Sequence, residues 1–147
     1  MLGLLEQPEV RFDCTTLTTA QGVVGFMRPL AGSFWSRWFT KPGWAIHEAG
    51  DEPLVFTISR RFSLLPRWEV CDAEGDWVGI VGGRWAVDRW ERPVFRLDPD
   101  GALRSAGRHS LGHWDGQRLA FSPETTNEPL VRMLMLALIL SDISPRQ

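Results

Sequence analysis

Lysine is almost missing from this 147-residue chain: Lys41 stands alone among sixteen basic residues, and the rest are arginine. Tyrosine is absent and cysteine occurs twice. Two cysteines, Cys14 and Cys71, are too few for a disulfide-built scaffold. Both fall in segments that read as strands, where they count as small buried side chains. There is no basic excess: the formal net charge is -2 and the pI about 5.9, so no overall field draws in nucleic acid. A membrane-spanning helix needs ~20 apolar residues in a row, and no run of that length is present. The opening "MLGLLEQPEVRF" has neither the cationic start nor the long apolar stretch of a signal peptide, which points to a cytoplasmic location.

Catalytic chemistry is scarce as well. No GxSxG elbow and no CxxC pair occurs, so nothing marks an activated nucleophile. The glycines of "VGGRW" do not make GxGxxG and no helix follows them, which argues against a phosphate cradle. "DPDG" lacks the further ligands of a calcium loop and reads as a turn. His109 and His113 are four apart, but Gly112 and the surrounding turn signals argue against the helix that would bring them to one metal. The chain is therefore expected to be non-enzymatic, with no metal and no cofactor.

What is abundant is aromatic residues and turns. Eight tryptophans and eight phenylalanines favour strands and bring large buried area. "DAEG" (72–75) and "DPDG" (98–101) have Asp first and Gly fourth, as a type I turn prefers. "HEAGDEP" (47–53) and "HWDG" (113–116) are looser versions. Each lies between short runs of Val, Ile, Phe, Trp and Leu, so each predicts a hairpin. The turn glycines Gly50, Gly75 and Gly101 are evenly spaced, which suggests a repeated strand–turn–strand unit. Strands are expected at 9–15, 22–28, 33–39, 44–48, 53–62, 67–72, 76–82, 93–97, 102–108 and 117–122.

The period then changes. Thr125 and Glu128 have the spacing of a capping box, and Pro129 fits a first helical turn. From Leu130 to Leu140 every residue but Arg132 is apolar. A helix over about 126–143 without a polar face must be surrounded by protein. The expected fold is mainly β: one domain over 1–147, a closed antiparallel barrel of about ten to twelve strands around a buried C-terminal helix. Arg132 should lie near one mouth and Asp142 near the other.

Three segments, "VCDAEGDWVGIVGGRW" (70–85), "FRLDPDG" (95–101) and "LAFSPETTNEPLVRMLMLALILSDIS" (119–144), follow one another in an order that resembles the tubby C-terminal-like superfamily. The closer likeness is to its scramblase-like and LURP-one-related branch. That resemblance implies a closed barrel of about twelve strands around a central helix, and binding of phosphoinositides through basic residues on the barrel. The cysteine-rich palmitoylated stretch of scramblases has no counterpart here. The stretch matching their calcium segment offers only Glu124 and Glu128.

Two surface candidates follow. Arg60 and Arg61, then Arg84, Arg89 and Arg92, lie at strand ends or connectors, where they could form an anion pocket for a phosphorylated headgroup. "SFWSRWFTKPGW" (33–44) sets Trp35, Arg37, Trp38 and Lys41 together, a mix that suits a membrane or partner interface. The functional expectation is a binding module for an anionic lipid or other phosphorylated ligand. The alternative is a structural or protein-interaction domain with no small ligand.

Overall fold

The computed structural model describes residues 3–29, 43–50, 53–61 and 67–143. They form twelve strands: β1 Glu9–Asp13, β2 Thr16–Thr19, β3 Gly22–Pro29, β4 Gly43–Glu48, β5 Leu54–Arg61, β6 Arg67–Asp72, β7 Trp77–Gly82, β8 Trp85–Asp88, β9 Pro93–Leu97, β10 Ala102–Ser105, β11 Ser110–Trp114 and β12 Arg118–Phe121. Each strand pairs antiparallel with its neighbour in sequence, and β1 closes on β12 through Glu9↔Ala120, Val10↔Leu119 and Arg11↔Arg118. Helix α1, Pro129–Ile143, runs through the barrel. It is about 22 Å long at 1.5 Å per residue. No helix among the described residues is long and apolar enough to cross a membrane.

An up-and-down barrel has two distinct mouths. The β2–β3, β4–β5, β6–β7, β8–β9 and β10–β11 connections lie at the mouth where α1 enters. The β1–β2, β7–β8, β9–β10 and β11–β12 connections lie at the mouth where it ends. The helix is enclosed on all sides: every residue from Met133 to Leu140 is buried. Val10, Leu17, Ile46, Phe56, Ile58, Val70, Leu103 and Leu119 meet it from the wall. At two points the wall has only glycine to offer. A Cβ at Gly79 would run into the Val87 carbonyl oxygen and lie 3.2 Å from Leu134 Cδ2, and one at Gly112 would lie 2.7 Å from Met135 Cε.

Arg132, the lone basic residue of the helix, is 2% exposed. Its Nε donates to Thr125 Oγ1 at 3.0 Å, and its Nη1 donates to the carbonyls of Leu5 and Gln7 at 2.9 and 3.0 Å. The guanidinium also packs 4.6 Å from the centre of the Phe121 ring. Burial lowers its pKa, yet no carboxylate among the described residues pairs with it. Neutral oxygens satisfy it instead, as a buried donor set requires. Two of those oxygens belong to the segment around the 3-10 turn Leu4–Glu6, whose Leu4 is fully buried. Arg132 therefore pins an N-terminal plug into the entry mouth, and Glu48 Oε1 holds the same plug by accepting from the Leu4 amide at 2.9 Å.

Four hairpins share one turn. In residues 72–76, 88–92, 98–102 and 105–109 the first carbonyl accepts from the fourth amide at 2.9–3.0 Å. The first amide donates to the fifth carbonyl at 2.8–3.0 Å. That is a type I turn closed by a left-handed fourth residue. Glycine fills the fourth place at Gly75 and Gly101, whereas Glu91 (φ 60°) and Arg108 (φ 64°) adopt it with a side chain.

Several expectations need correction. The helix starts at Pro129, because 123–125 forms a separate 3-10 turn and Thr125 takes the Arg132 guanidinium rather than capping a longer helix. Strands β2, β8 and β11 were not expected. β11 is hidden in the sequence because Gly112 reads as a turn residue when it makes room for Met135. β8 also breaks the even glycine repeat, since an extra strand between β7 and β9 puts Gly101 at the opposite mouth from Gly50 and Gly75. Cys14 is exposed in the β1–β2 turn at φ 54°, and Cys71 is half-buried on the outer face, so neither belongs to the core. The expected strand 33–39 and the interface candidates Trp35, Arg37, Trp38 and Lys41 lie outside the described residues.

Replacing Arg132 by Met leaves the Leu5 and Gln7 carbonyls and the Thr125 hydroxyl without their donor. At about 1–3 kcal/mol for each unsatisfied buried group, we expect a loss of roughly 3 kcal/mol or more in urea unfolding, with hydrogen exchange accelerating first in residues 3–8. Glu91→Gly relieves a left-handed side chain and should raise the unfolding free energy measured in urea by about 1 kcal/mol.

Candidate anion-binding groove

Outward positions on the wall follow from the alternation that buries the inward ones. Ala86, Phe95 and Leu103 face the core, so Trp85, Arg96 and Arg104 face out. Register lines them up: Trp85 pairs with Arg96 and Arg96 with Arg104. They border a groove of about 690 Å³ along β8, β9 and β10, closed at one end by Asp98 and at the other by Ser105, Ala106 and Arg108.

Asp98 orients this cluster. Its Oδ2 lies 2.9 Å from Arg104 Nε and its Oδ1 lies 3.5 Å from Arg96 Nε. Arg104 Nη2 is 3.8 Å from Asp100. The arginines of these pairs are exposed, so the pairs add little stability. Their effect is geometric: Nε is occupied, and the Arg96 Nη groups have no acceptor among the described residues. Three guanidiniums face a single lining carboxylate. Trp85 forms an aromatic wall, and Arg67 stacks on it from the β6 side at 5.3 Å. Gly82 lies between those two positions and leaves the gap that Arg67 crosses. Arg67 Nε is buried with no hydrogen-bond partner among the described residues. Guanidiniums beside an aromatic face have the donors and geometry that suit an oxyanion.

The five arginines expected from the sequence do not converge. Arg60 continues the inward register of Phe56 and Ile58 past the end of the barrel and emerges, exposed, at the exit mouth. Arg61 ends β5 at that same mouth, and exposed Arg84 occupies the β7–β8 turn there. Arg89 and Arg92 are in the β8–β9 turn at the entry mouth. Strand length separates the two groups. Both of the latter pack on Trp90, each 4.9 Å from the ring centre, and Arg92 Nε lies 3.3 Å from Asp88. The groove residues Arg96, Arg104, Arg108 and Trp85 were missed, although "RLDPDGALR" is symmetric about its turn and the symmetry sets Arg96 opposite Arg104.

The cysteine and histidine side chains are dispersed. Burial, then Glu69, Asp72 and Asp76, push the Cys71 thiol up. His113 is on strand β11 and His109 in a turn, and among the described residues no group of three His, Cys, Asp or Glu could hold a metal ion. The chain matches no protein-family model, no curated protein and no solved structure.

The turn carboxylates carry a pH dependence. Partial burial pushes Asp88 up, but the Arg92 and Trp90 amides and the Arg92 guanidinium outweigh it and leave the pKa lowered. The Arg118 and Gln117 amides lower Asp115, and the Arg118 charge adds to them. A carboxylate depressed in the folded state stabilises above its unfolded pKa of about 3.9 and loses that contribution as pH falls through the folded value. Stability should be flat from neutral pH to about 5 and fall below about 4. In urea melts across that range, Asp88→Asn with Asp115→Asn should flatten the acid limb.

Proposed function

We propose that the chain is a non-enzymatic binding module whose ligand presents a phosphate or similar oxyanion, as a phospholipid headgroup or as a free phosphorylated molecule. The observation that carries this reading is the groove bounded by Arg96, Arg104 and Arg108 with Trp85 as one wall. Arg96, held by Nε, directs its terminal N–H groups to the groove, and the indole face suits a ring or an acyl stem beside the charge. The twelve-strand barrel around a central helix also agrees with the arrangement that a tubby-like resemblance implies, and membership of that superfamily is part of the proposal. Fold likeness supports the architecture, and the groove chemistry supports the ligand class.

Isothermal titration with inositol trisphosphate, and separately with vesicles carrying phosphatidylinositol bisphosphate, distinguishes the two sources of phosphate. A charge-assisted hydrogen bond contributes about 1.5–3 kcal/mol, so Arg96→Gln or Arg104→Gln should each weaken binding about tenfold or more. Arg60→Gln at the exit mouth should leave it unchanged. No binding of either probe at millimolar concentration would reject the reading. Binding abolished by Arg60→Gln yet kept in Arg104→Gln would reject the groove as its site.

A further inference from the structure

Four large apolar side chains are exposed among the described residues, Trp90 most and Trp77 least: Val23, Trp77, Trp90 and Leu130. All four stand at the entry mouth. Val23 is at the start of β3, and the other three converge on one stretch of rim. Strands β7 and β8 pair Gly79 with Asp88 at this mouth, where Trp77 begins β7 and Trp90 tops the 88–92 turn that continues from Asp88. The helix supplies the third. Leu134 Cδ2 lies 3.2 Å from the Cβ position of Gly79, and Leu130 is one turn earlier on the same helix face. One helical turn descends ~5.4 Å, and two strand residues descend ~6.6 Å, so Leu130 arrives beside Trp77.

The three side chains are built to stay out. Trp77 Nε1 donates to the Gly79 carbonyl at 3.0 Å, which lays the indole along the strand. Trp90 is 63% exposed and carries Arg89 and Arg92 on its ring. Around them stand Asp72, Glu74, Asp76, Asp88, Glu91 and Glu128, against those two arginines. Exposed tryptophan beside arginine also occurs on membrane-binding surfaces, but an anionic bilayer is repelled by this ring of carboxylates. A second copy meeting the same rim is repelled for the same reason.

We infer that this rim is a docking surface for a basic polypeptide, one that sets an apolar side chain between Trp77, Trp90 and Leu130 and its Lys or Arg residues against the surrounding carboxylates. Aromatic anchors at the centre with a charged surround are the usual anatomy of such an interface. The arginine groove runs along the outer wall, reaches this mouth only at Arg108 and has the opposite charge, so the docking surface stands whether or not an anion binds in the groove.

The test is selection of a phage-displayed random dodecamer library on the intact folded protein, followed by titration of the selected synthetic peptides. The expected winners carry net positive charge and an apolar residue. Their affinity should fall about tenfold or more in Trp90→Ala, an exposed position that folding tolerates. It should fall likewise in Glu74→Lys with Asp76→Lys, weaken with added salt and persist in Arg104→Gln. Selected peptides without a basic preference, no selection at all, or affinity indifferent to Trp90→Ala overturns the proposal. Sedimentation of the protein with phosphatidylserine vesicles, or self-association in ultracentrifugation, overturns it in favour of a bilayer or a second copy if Trp90→Ala abolishes the effect.

Discussion

A helix with no polar face cannot rest on the surface of anything. Leu134, Met135, Leu136, Ala137, Leu138, Ile139 and Leu140 are consecutive and buried, so water must be excluded around the full circumference of α1. An open sheet covers one side and leaves two unpaired edges, whereas a closed sheet covers every side and leaves none. Closure of β1 on β12 thus answers both demands at once. The helix and the wall are mutually dependent. Without the helix, the inner face of twelve strands would surround an apolar void, and without the wall the helix would have to associate with something else.

This dependence explains where the polar groups are. Among the described residues one charged side chain is buried, Arg132, and it sits at the entry mouth, where the chain's own carbonyls are within reach. Choosing arginine over a small polar residue gives several donors on one planar group, which join three parts of the chain: the helix, the Ser122–Thr126 connection and the N-terminal plug. The remaining backbone groups are settled by the turns. Asp72, Asp88 and Asp115 each accept two backbone amides with one carboxylate oxygen, so the turns carry their own hydrogen-bond partners and leave the strands' outer faces free to vary.

How much of this was legible depends on which signal was local. The apolar run at 130–140, interrupted only by Arg132, announces an enclosed helix, and the DxxG turns announce antiparallel hairpins, so the barrel could be read. Strand β8 could not, because its four residues follow a Gly83–Arg84 turn that carries no Asp or Asn, and its neighbours were read as one hairpin and the next. Missing one strand reverses the direction of everything after it. That single error made the three-glycine spacing look like a repeat, and it put Arg84 with Arg89 and Arg92 when they belong to opposite mouths. Linear proximity is a poor guide to clustering in an up-and-down barrel, where the two ends of each strand lie at opposite mouths. Arg96 and Arg104 are eight residues apart and adjacent, because a symmetric turn lies between them.

The same geometry sorts the surface by chemistry. Outward positions in the middle of a strand see only their cross-strand partners, so a functional cluster there must come from one row of the register, and Trp85, Arg96 and Arg104 are such a row. Positions at the rim are different, since turns from separate hairpins meet there and the helix end joins them. A rim can combine an aromatic from a strand, another from a turn and an aliphatic from the helix, as Trp77, Trp90 and Leu130 do. The buried Arg132 and the plug it holds keep that rim closed and the helix end fixed in height. The position of Leu130 beside Trp77 therefore rests on the same guanidinium that seats the N-terminal segment in the barrel.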